Sequence, residues 1–283
     1  MIDLKQIRYE ISASYPIELH RDLPTVTMRG AFGYSLAQIL EREASIKSMD
    51  DKAKIFREVF KPENTEGTIR NSDPARPYVM RGGFARPDRK SFILEIVIFG
   101  KACQLEPLFD KVVENMSEMG LGRANTICNA KKLSSDKINP VFPETDRIVV
   151  DFITPARLKH DNMWMNDEIP FDVLFARLAN RFNEIMVLYC EDGKCLPYEQ
   201  ANELKNLSRG IFSEKIEGGR FNSGRRSTRT GDEIRLDGFV GKMLYAGDYS
   251  RLGEILKYLP WIHVGKSAVL GCGWTTVNCM MLE

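Results

Sequence analysis

Long hydrophobic runs, net charge of either sign, a cysteine framework and histidine are all scarce in this 283-residue chain. No stretch reaches the roughly 18 consecutive apolar residues of a membrane-spanning helix, and the first six positions, Met1 to Gln6, are charged with no apolar core. Neither a signal peptide nor a membrane span is expected. A formal net charge of +1 offers no global attraction to nucleic acid, so any such affinity must come from a local patch. The six cysteines (Cys103, Cys128, Cys190, Cys195, Cys272 and Cys279) are scattered, which fits a reducing cytoplasm better than a disulfide scaffold. Cys190 and Cys195 flank a hairpin-like Glu-Asp-Gly-Lys that suits half a zinc site, but nothing supplies two further ligands at regular spacing. No metal and no cofactor is expected. Only three histidines are present, His20, His160 and His263, which shortens any search for proton-transfer chemistry.

With 43% hydrophobic and 28% charged residues the chain reads as globular, long enough for one large or two ordinary domains. Ile7, Tyr9, Ile11, Ala13 and Tyr15 alternate strictly, predicting a half-buried strand over residues 6–19. Arg29-Gly30-Ala31-Phe32-Gly33 leads into a helix with Phe32, Leu36, Ile39 and Leu40 on one face. A short helix over 51–60, strands over 76–82 and 92–99, a helix opened by Pro107 and an extended segment over 123–133 follow. This is a β-α-β-β-α-β-like order, the order of a ferredoxin-like domain. Asn139 to Glu144, with Pro140 and Pro143, reads as a linker. Beyond it, a strand over 147–153, a long helix from Pro170, strands over 207–216 and 234–245, and a C-terminal helix and strand repeat the order. The expected fold is α+β, with two tandem ferredoxin-like domains at residues 1–139 and 145–283.

Two stretches in the second half invite chemistry. From Gly238 to Trp274 the pattern predicts a strand, a turn at Ala246-Gly247, and one amphipathic helix N-capped by Asp248 and stopped by Pro260. A loop with Gly265, Gly271 and Gly273 follows, carrying His263 and Lys266. Glycines at that density let backbone N–H groups approach a ligand, and a phosphate suits N–H groups plus a lysine. An ordinary connection to a last strand over 274–280 has the same composition. The second stretch, Gly218 to Gly231, carries Arg220, Arg225, Arg226 and Arg229 with Phe221 and no acid. It fits an arm that contacts phosphates and stacks a base, or a solvated hairpin loop.

Helix, then His263-Val264-Gly265-Lys266, small residues and Gly271-x-Gly273 resembles the C-terminal glycine-rich signature of the CRISPR-associated RAMP superfamily, and most closely its endoribonucleases that process CRISPR precursor RNA. Thr154 to Lys159, the basic segment and Asp237 to Gly241 agree in order, and Arg29 to Gly33 more loosely. The resemblance implies RAMP (RRM-like) domains, CRISPR repeat RNA as the partner, with other effector-complex subunits as further candidates, and a monomer or homodimer in the cytoplasm. It also implies RNA contacts at Arg157, Lys159, Gly265, Lys266, Gly271, Gly273 and the arginine segment. Metal-free cleavage of RNA needs a base for the ribose 2′-OH, an acid for the departing 5′-oxygen and donors for charge on phosphorus. His263 at the mouth of the glycine loop with Lys266, and His20 beside the first helix with Tyr34, are the catalytic candidates, ahead of His160. Gly265-Lys266-Ser267 is no nucleotide-binding P-loop, because position 260 is Pro and a helix precedes it. A non-catalytic RNA-binding subunit of the same superfamily is the alternative.

Overall fold

Residues 1–42, 49–60, 62, 74–191, 193–226, 231 and 233–279 are described in the computed structural model. The chain divides into two compact units, Met1–Ile138 with Glu184–Gly193, and Asn139–Asn183 with Lys194–Glu283.

In the first unit the alternation of Ile7, Tyr9 and Ile11 buries one face of β1 (Leu4–Ser12). The strand stops there and not at Leu19; Pro16 has no N–H to give, and Tyr15 is exposed. Then come α1 (Pro24–Arg42), α2 (Met49–Phe60), β2 (Tyr78–Phe84), β3 (Ser91–Phe99), α3 (Glu106–Glu118) and β4 (Asn129–Ile138), which begins later than the pattern suggests. The sheet order β2-β3-β1-β4, antiparallel throughout, is that of a ferredoxin-like domain. Pro107 lies in the first turn of α3, where its missing N–H costs nothing, and Phe109, Val112, Val113 and Met116 recur at helical spacing on the buried side. Phe109 meets Phe32 of α1 and Tyr78 of β2 at ring-centroid distances of 5.2 and 5.6 Å, tying both helices to the sheet. Gly33 is where α1 meets α2: a Cβ there would lie 2.0 Å from the Phe60 ring, over which Arg29 also stacks at 3.8 Å.

Lys132 joins a network of ion pairs and hydrogen bonds between β4, β1 and α3. It bonds Glu106 at 2.6 Å and Asp110 at 2.8 Å, Lys5 bonds Glu106 at 2.6 Å, and the Tyr9 hydroxyl donates to Asp110 at 2.6 Å. Burial opposes the charged form of Glu106, but hydrogen bonds from Lys132, Lys5 and Ser135 outweigh it and hold the carboxyl at about 2. A depressed carboxylate stabilises the fold fully above its unfolded value of about 4.3 and loses that contribution as pH falls toward the folded one. Thermal unfolding followed from pH 7 to 2.5 should show this loss, of about 1 kcal/mol after solvent screening, in the wild type. It should be blunted in Lys132→Ala; parallel curves would exclude the network from acid stability.

The second unit repeats the plan. β5 (Arg147–Ala156) is followed by a small hairpin, β6 (Lys159–His160) and β7 (Met163–Trp164), then α4 (Phe171–Tyr189), α5 (Tyr198–Ser208) and β8 (Phe212–Phe221). A second hairpin, β9 (Gly224–Arg226) and β10 (Glu233–Arg235), precedes β11 (Gly238–Ala246), α6 (Gly253–Leu256), α7 (Leu259–Ile262) and β12 (Thr275–Cys279). The order β12-β5-β11-β8, again antiparallel, matches the first sheet, so both units are ferredoxin-like. Phe171 packs on Phe175, Tyr245 and Tyr249 in the core between α4 and the sheet.

Two local expectations change. Leu207 and Ser208 end a helix, α5, whose apolar stripe is nearly reduced to the buried Leu204, and the strand starts only at Phe212. The single helix expected before the glycine loop is two single turns. Pro260 sits in the first turn of α7 and does not close α6, because its ring excludes the carbonyl four residues back and forces the helix to restart. Asp248 caps a turn, accepting from the Ser250 N–H at 2.8 Å. Among the described residues no helix is long and apolar enough to cross a membrane, and no group of three His, Cys, Asp or Glu is placed to hold a metal ion.

Candidate functional site

The glycine loop is built against the end of β5. Gly273 N–H donates to Pro155 O and Lys266 N–H to Arg157 O, both at 3.0 Å, and Gly265 bridges Arg157 in parallel register. Thr154 closes the ring, its hydroxyl donating to Gly271 O at 2.6 Å and accepting from Trp274 N–H at 2.9 Å. Val264 N–H reaches Gly273 O, and the amides of Leu270, Gly271 and Cys272 also donate to loop carbonyls. These amides are therefore spent inside the fold. The glycines are required for close backbone approach: a Cβ on Gly265 would lie 2.7 Å from Arg157 O, and one on Gly273 1.9 Å from Val264 O. Gly271 and Gly273 are buried, and the loop leaves side chains, not these amides, to face a ligand.

Arg157 ties three pieces together. Its Nη1 donates to Ser267 Oγ at 2.6 Å in the loop, and its Nε donates to Asp237 O at 3.2 Å at the base of the arginine arm. Its Cζ lies 5.1 Å from the Trp164 ring centroid. Burial pulls its guanidinium down from the ordinary value, with Cys272 and Asp237 acting in the opposite sense; an arginine keeps its charge regardless. Lys159 Nζ lies 4.7 Å and Lys266 Nζ 5.9 Å from the same ring. Lys266 is exposed and Lys159 half-buried. Three of the sequence-derived contact residues thus converge on an aromatic side chain that pattern reading passed over.

The arm is a hairpin whose base is organised by Asp237. This carboxylate accepts from Ser223 N–H at 3.2 Å and from Arg220 at 3.3 Å, with Arg235 at 3.9 Å. Phe221 ends β8, half-buried, and pairs with Gly238. Arg225 faces Ile234 and Arg226 faces Glu233 across β9 and β10; Arg229 lies outside the described residues.

The histidines separate. His263 is wholly buried, so it does not stand at the mouth of the loop. Its backbone, at φ 56° and ψ 160°, occupies a region that essentially only glycine takes without strain, which the surrounding hydrogen bonds impose. His20, in the first unit, is half-buried before α1. Its N–H donates to Thr27 Oγ at 2.9 Å, and its Nδ1 accepts from Leu23 N–H at 3.2 Å. The neutral ring therefore carries its proton on Nε2. Tyr34 is 64% exposed on α1, seven residues beyond Thr27, so about 10 Å further along the same stripe. His160 is exposed in the small hairpin, 3.4 Å from Asp161. Trp164, Asp237 and Ser267 were not legible as site residues, although Asp161-Asn162, two residues that tolerate the left-handed region, is a turn signal.

Residues 150–275 match a family model described as CRISPR-associated endoribonuclease Cas6, and residues 2–152 match one described as an N-terminal domain. No curated protein matches the chain. Among solved structures it is similar to a Cas6 product complex, at 12% identity over 98% of this chain and 99% of that one, with a TM-score of 0.61. It is also similar to a RAMP protein binding different RNA substrates, at 14% identity over 98% and 99%, with a TM-score of 0.51. At these identities the likeness shows the fold.

Proposed function

We propose that the chain, whose residues 150–275 match the family model of the CRISPR-associated endoribonuclease Cas6, binds CRISPR repeat RNA in the precursor transcript and cuts it, without metal, to give guide RNA. The observation that carries this reading is the convergence of Arg157, Lys159 and exposed Lys266 where the glycine loop meets the small hairpin. A chain of net charge +1 has concentrated cations at one place suited to a phosphate backbone. The arginine arm, held through Asp237 and Arg157, extends the same surface.

Cleavage proceeds by attack of a 2′-OH on the adjacent phosphate, its proton passing to a solvent water as the P–O5′ bond breaks, leaving a 2′,3′-cyclic phosphate on one product and a 5′-OH on the other. His20 serves the departing 5′-oxygen. With Nδ1 accepting from Leu23 N–H, Nε2 bears the hydrogen in the resting neutral ring and is a donor toward that oxygen. Full transfer to the leaving oxygen draws on the protonated ring, with Nδ1 released from Leu23. Tyr34 is the exposed group of α1 assigned to assist it, and Lys266, in the second unit, is assigned to the phosphate backbone of the bound RNA. His263 is assigned to hold the loop. The cytoplasm is the proposed compartment.

A second reading, a non-catalytic RNA-binding subunit, is favoured by the burial of His263, which leaves the glycine loop with no histidine exposed. Incubating labelled repeat RNA with the protein in EDTA separates the two. The nuclease cuts once and leaves a cyclic phosphate end; tight binding with no product, in EDTA or in magnesium, establishes the second reading.

A further inference from the structure

We propose that Trp164 is a stacking platform for one unpaired base of the bound RNA, with Arg157, Lys159 and Lys266 on the phosphates beside it. The inference rests on the RNA-binding reading above and deepens it by naming what that surface selects: a single-stranded nucleotide.

Trp164 is 37% exposed although it is the second residue of a two-residue strand, a place where an indole contributes little to any core. The hairpin that presents it is rigid for its size. Asp161 and Asn162 have φ of 46° and 64°, both positive, as the tight turn matching strand twist requires. Lys159 O accepts from both Nε and Nη2 of Arg177 on α4, and Met165 N–H returns to Leu158 O at 3.0 Å. The first strand is therefore tied to α4 and the hairpin is closed on itself, which fixes the backbone that carries the indole. Cations from two segments lie over the ring, Arg157 and Lys159 on the stretch from β5 into β6 and Lys266 in the glycine loop, at 5.1, 4.7 and 5.9 Å from the ring centroid. The one acid in the hairpin, Asp161, is at the turn.

A structural use of the ring, as a lid over lysine stems, needs no aromatic face, and a purely electrostatic patch needs no ring. A part-exposed indole with cations over its ring combines the two parts of single-strand recognition: the exposed part of the aromatic surface for a base, and positive charge for the phosphates beside it. Bases in a duplex are stacked on each other and offer no such face, so the surface discriminates for unpaired RNA.

The test uses the full chain and three variants, Trp164→Ala, Trp164→Leu and Trp164→Phe, titrated with an uncleavable single-stranded repeat RNA carrying 2′-deoxy at the scissile nucleotide, and with oligouridine. Thermal unfolding is measured in parallel. Expected is a Kd raised roughly 5- to 150-fold in the Ala and Leu variants, largely restored in Phe, with the slope of log K against log salt unchanged. Leu keeps an apolar cover without a π-face, so equal binding by Leu and wild type overturns the proposal. So does a loss accompanied by a shallower salt slope, which assigns Trp164 to positioning the cations. If the wild type binds neither RNA, the RNA-binding reading fails and this inference with it; wild-type binding that no variant disturbs removes only the stacking role.

Discussion

Replacing His20 with alanine should lower the cleavage rate by about 10²- to 10⁴-fold, the usual worth of a positioned proton-transfer group. Affinity for the repeat should stay within about threefold, under 1 kcal/mol, because the phosphate-binding cations belong to other segments. The alanine variant also loses the Nδ1 bond to Leu23 N–H just before α1, which costs about 1 kcal/mol. His20→Asn removes that ambiguity: its side-chain carbonyl can accept the same N–H, so the entry to α1 is kept while proton transfer is lost. Both variants should bind and fail to cut. His263→Ala should behave differently, lowering the melting temperature and weakening binding together, since a fully buried ring in a strained backbone supports the loop's shape. Normal cutting by His20→Asn, or a folded, tightly binding but inactive His263→Ala, would reverse the two assignments.

What the chain reveals about itself depends on the range over which a signal acts. Both ferredoxin-like repeats were legible because their strands and helices carry their own periodicity: Ile7, Tyr9 and Ile11 in β1, and the Phe171 to Met186 stripe in α4. Pro107 marked the start of α3 for a local reason and Pro260 misled for the same reason, since a proline is equally at home after one helix and in the first turn of the next. Lys266 and Arg157 were recognisable as contact candidates, but their joint purpose was not. That purpose lies in the pairing of Gly265 with Arg157 and of Ser267 with the Arg157 guanidinium, contacts between distant segments. His263 shows the converse: its place in a motif suggested an exposed imidazole, and only tertiary packing decides burial. Trp164 escaped notice because strands of two residues are too short to show any period.

The glycine loop yields the second large effect. Gly273→Ala places a Cβ 1.9 Å from Val264 O, at a position whose φ is +71°. A left-handed alanine costs about 1–2 kcal/mol before any clash. The clash falls on rigid backbone and not on a side chain that can rotate away, so Val264 must move. Two hydrogen bonds depend on that spot, Val264 N–H to Gly273 O and Gly273 N–H to Pro155 O, each 3.0 Å long and each worth about 1 kcal/mol. Together the loss is on the order of 3–4 kcal/mol, a fall in melting temperature of roughly 10 °C. RNA binding should weaken as well, because the same displacement disturbs the seat of Lys266 and the Ser267–Arg157 bond. Gly30→Ala is the matched control: nothing lies within 4 Å of its Cβ, and it sits within α1. Alanine there should stabilise by about 0.5–1 kcal/mol and raise the melting temperature slightly. Calorimetry on the two variants decides the matter. A Gly273→Ala protein that melts with the wild type would mean the loop yields freely, and then the closeness of its backbone to Pro155 and Arg157 could not be what holds Lys266 beside Trp164.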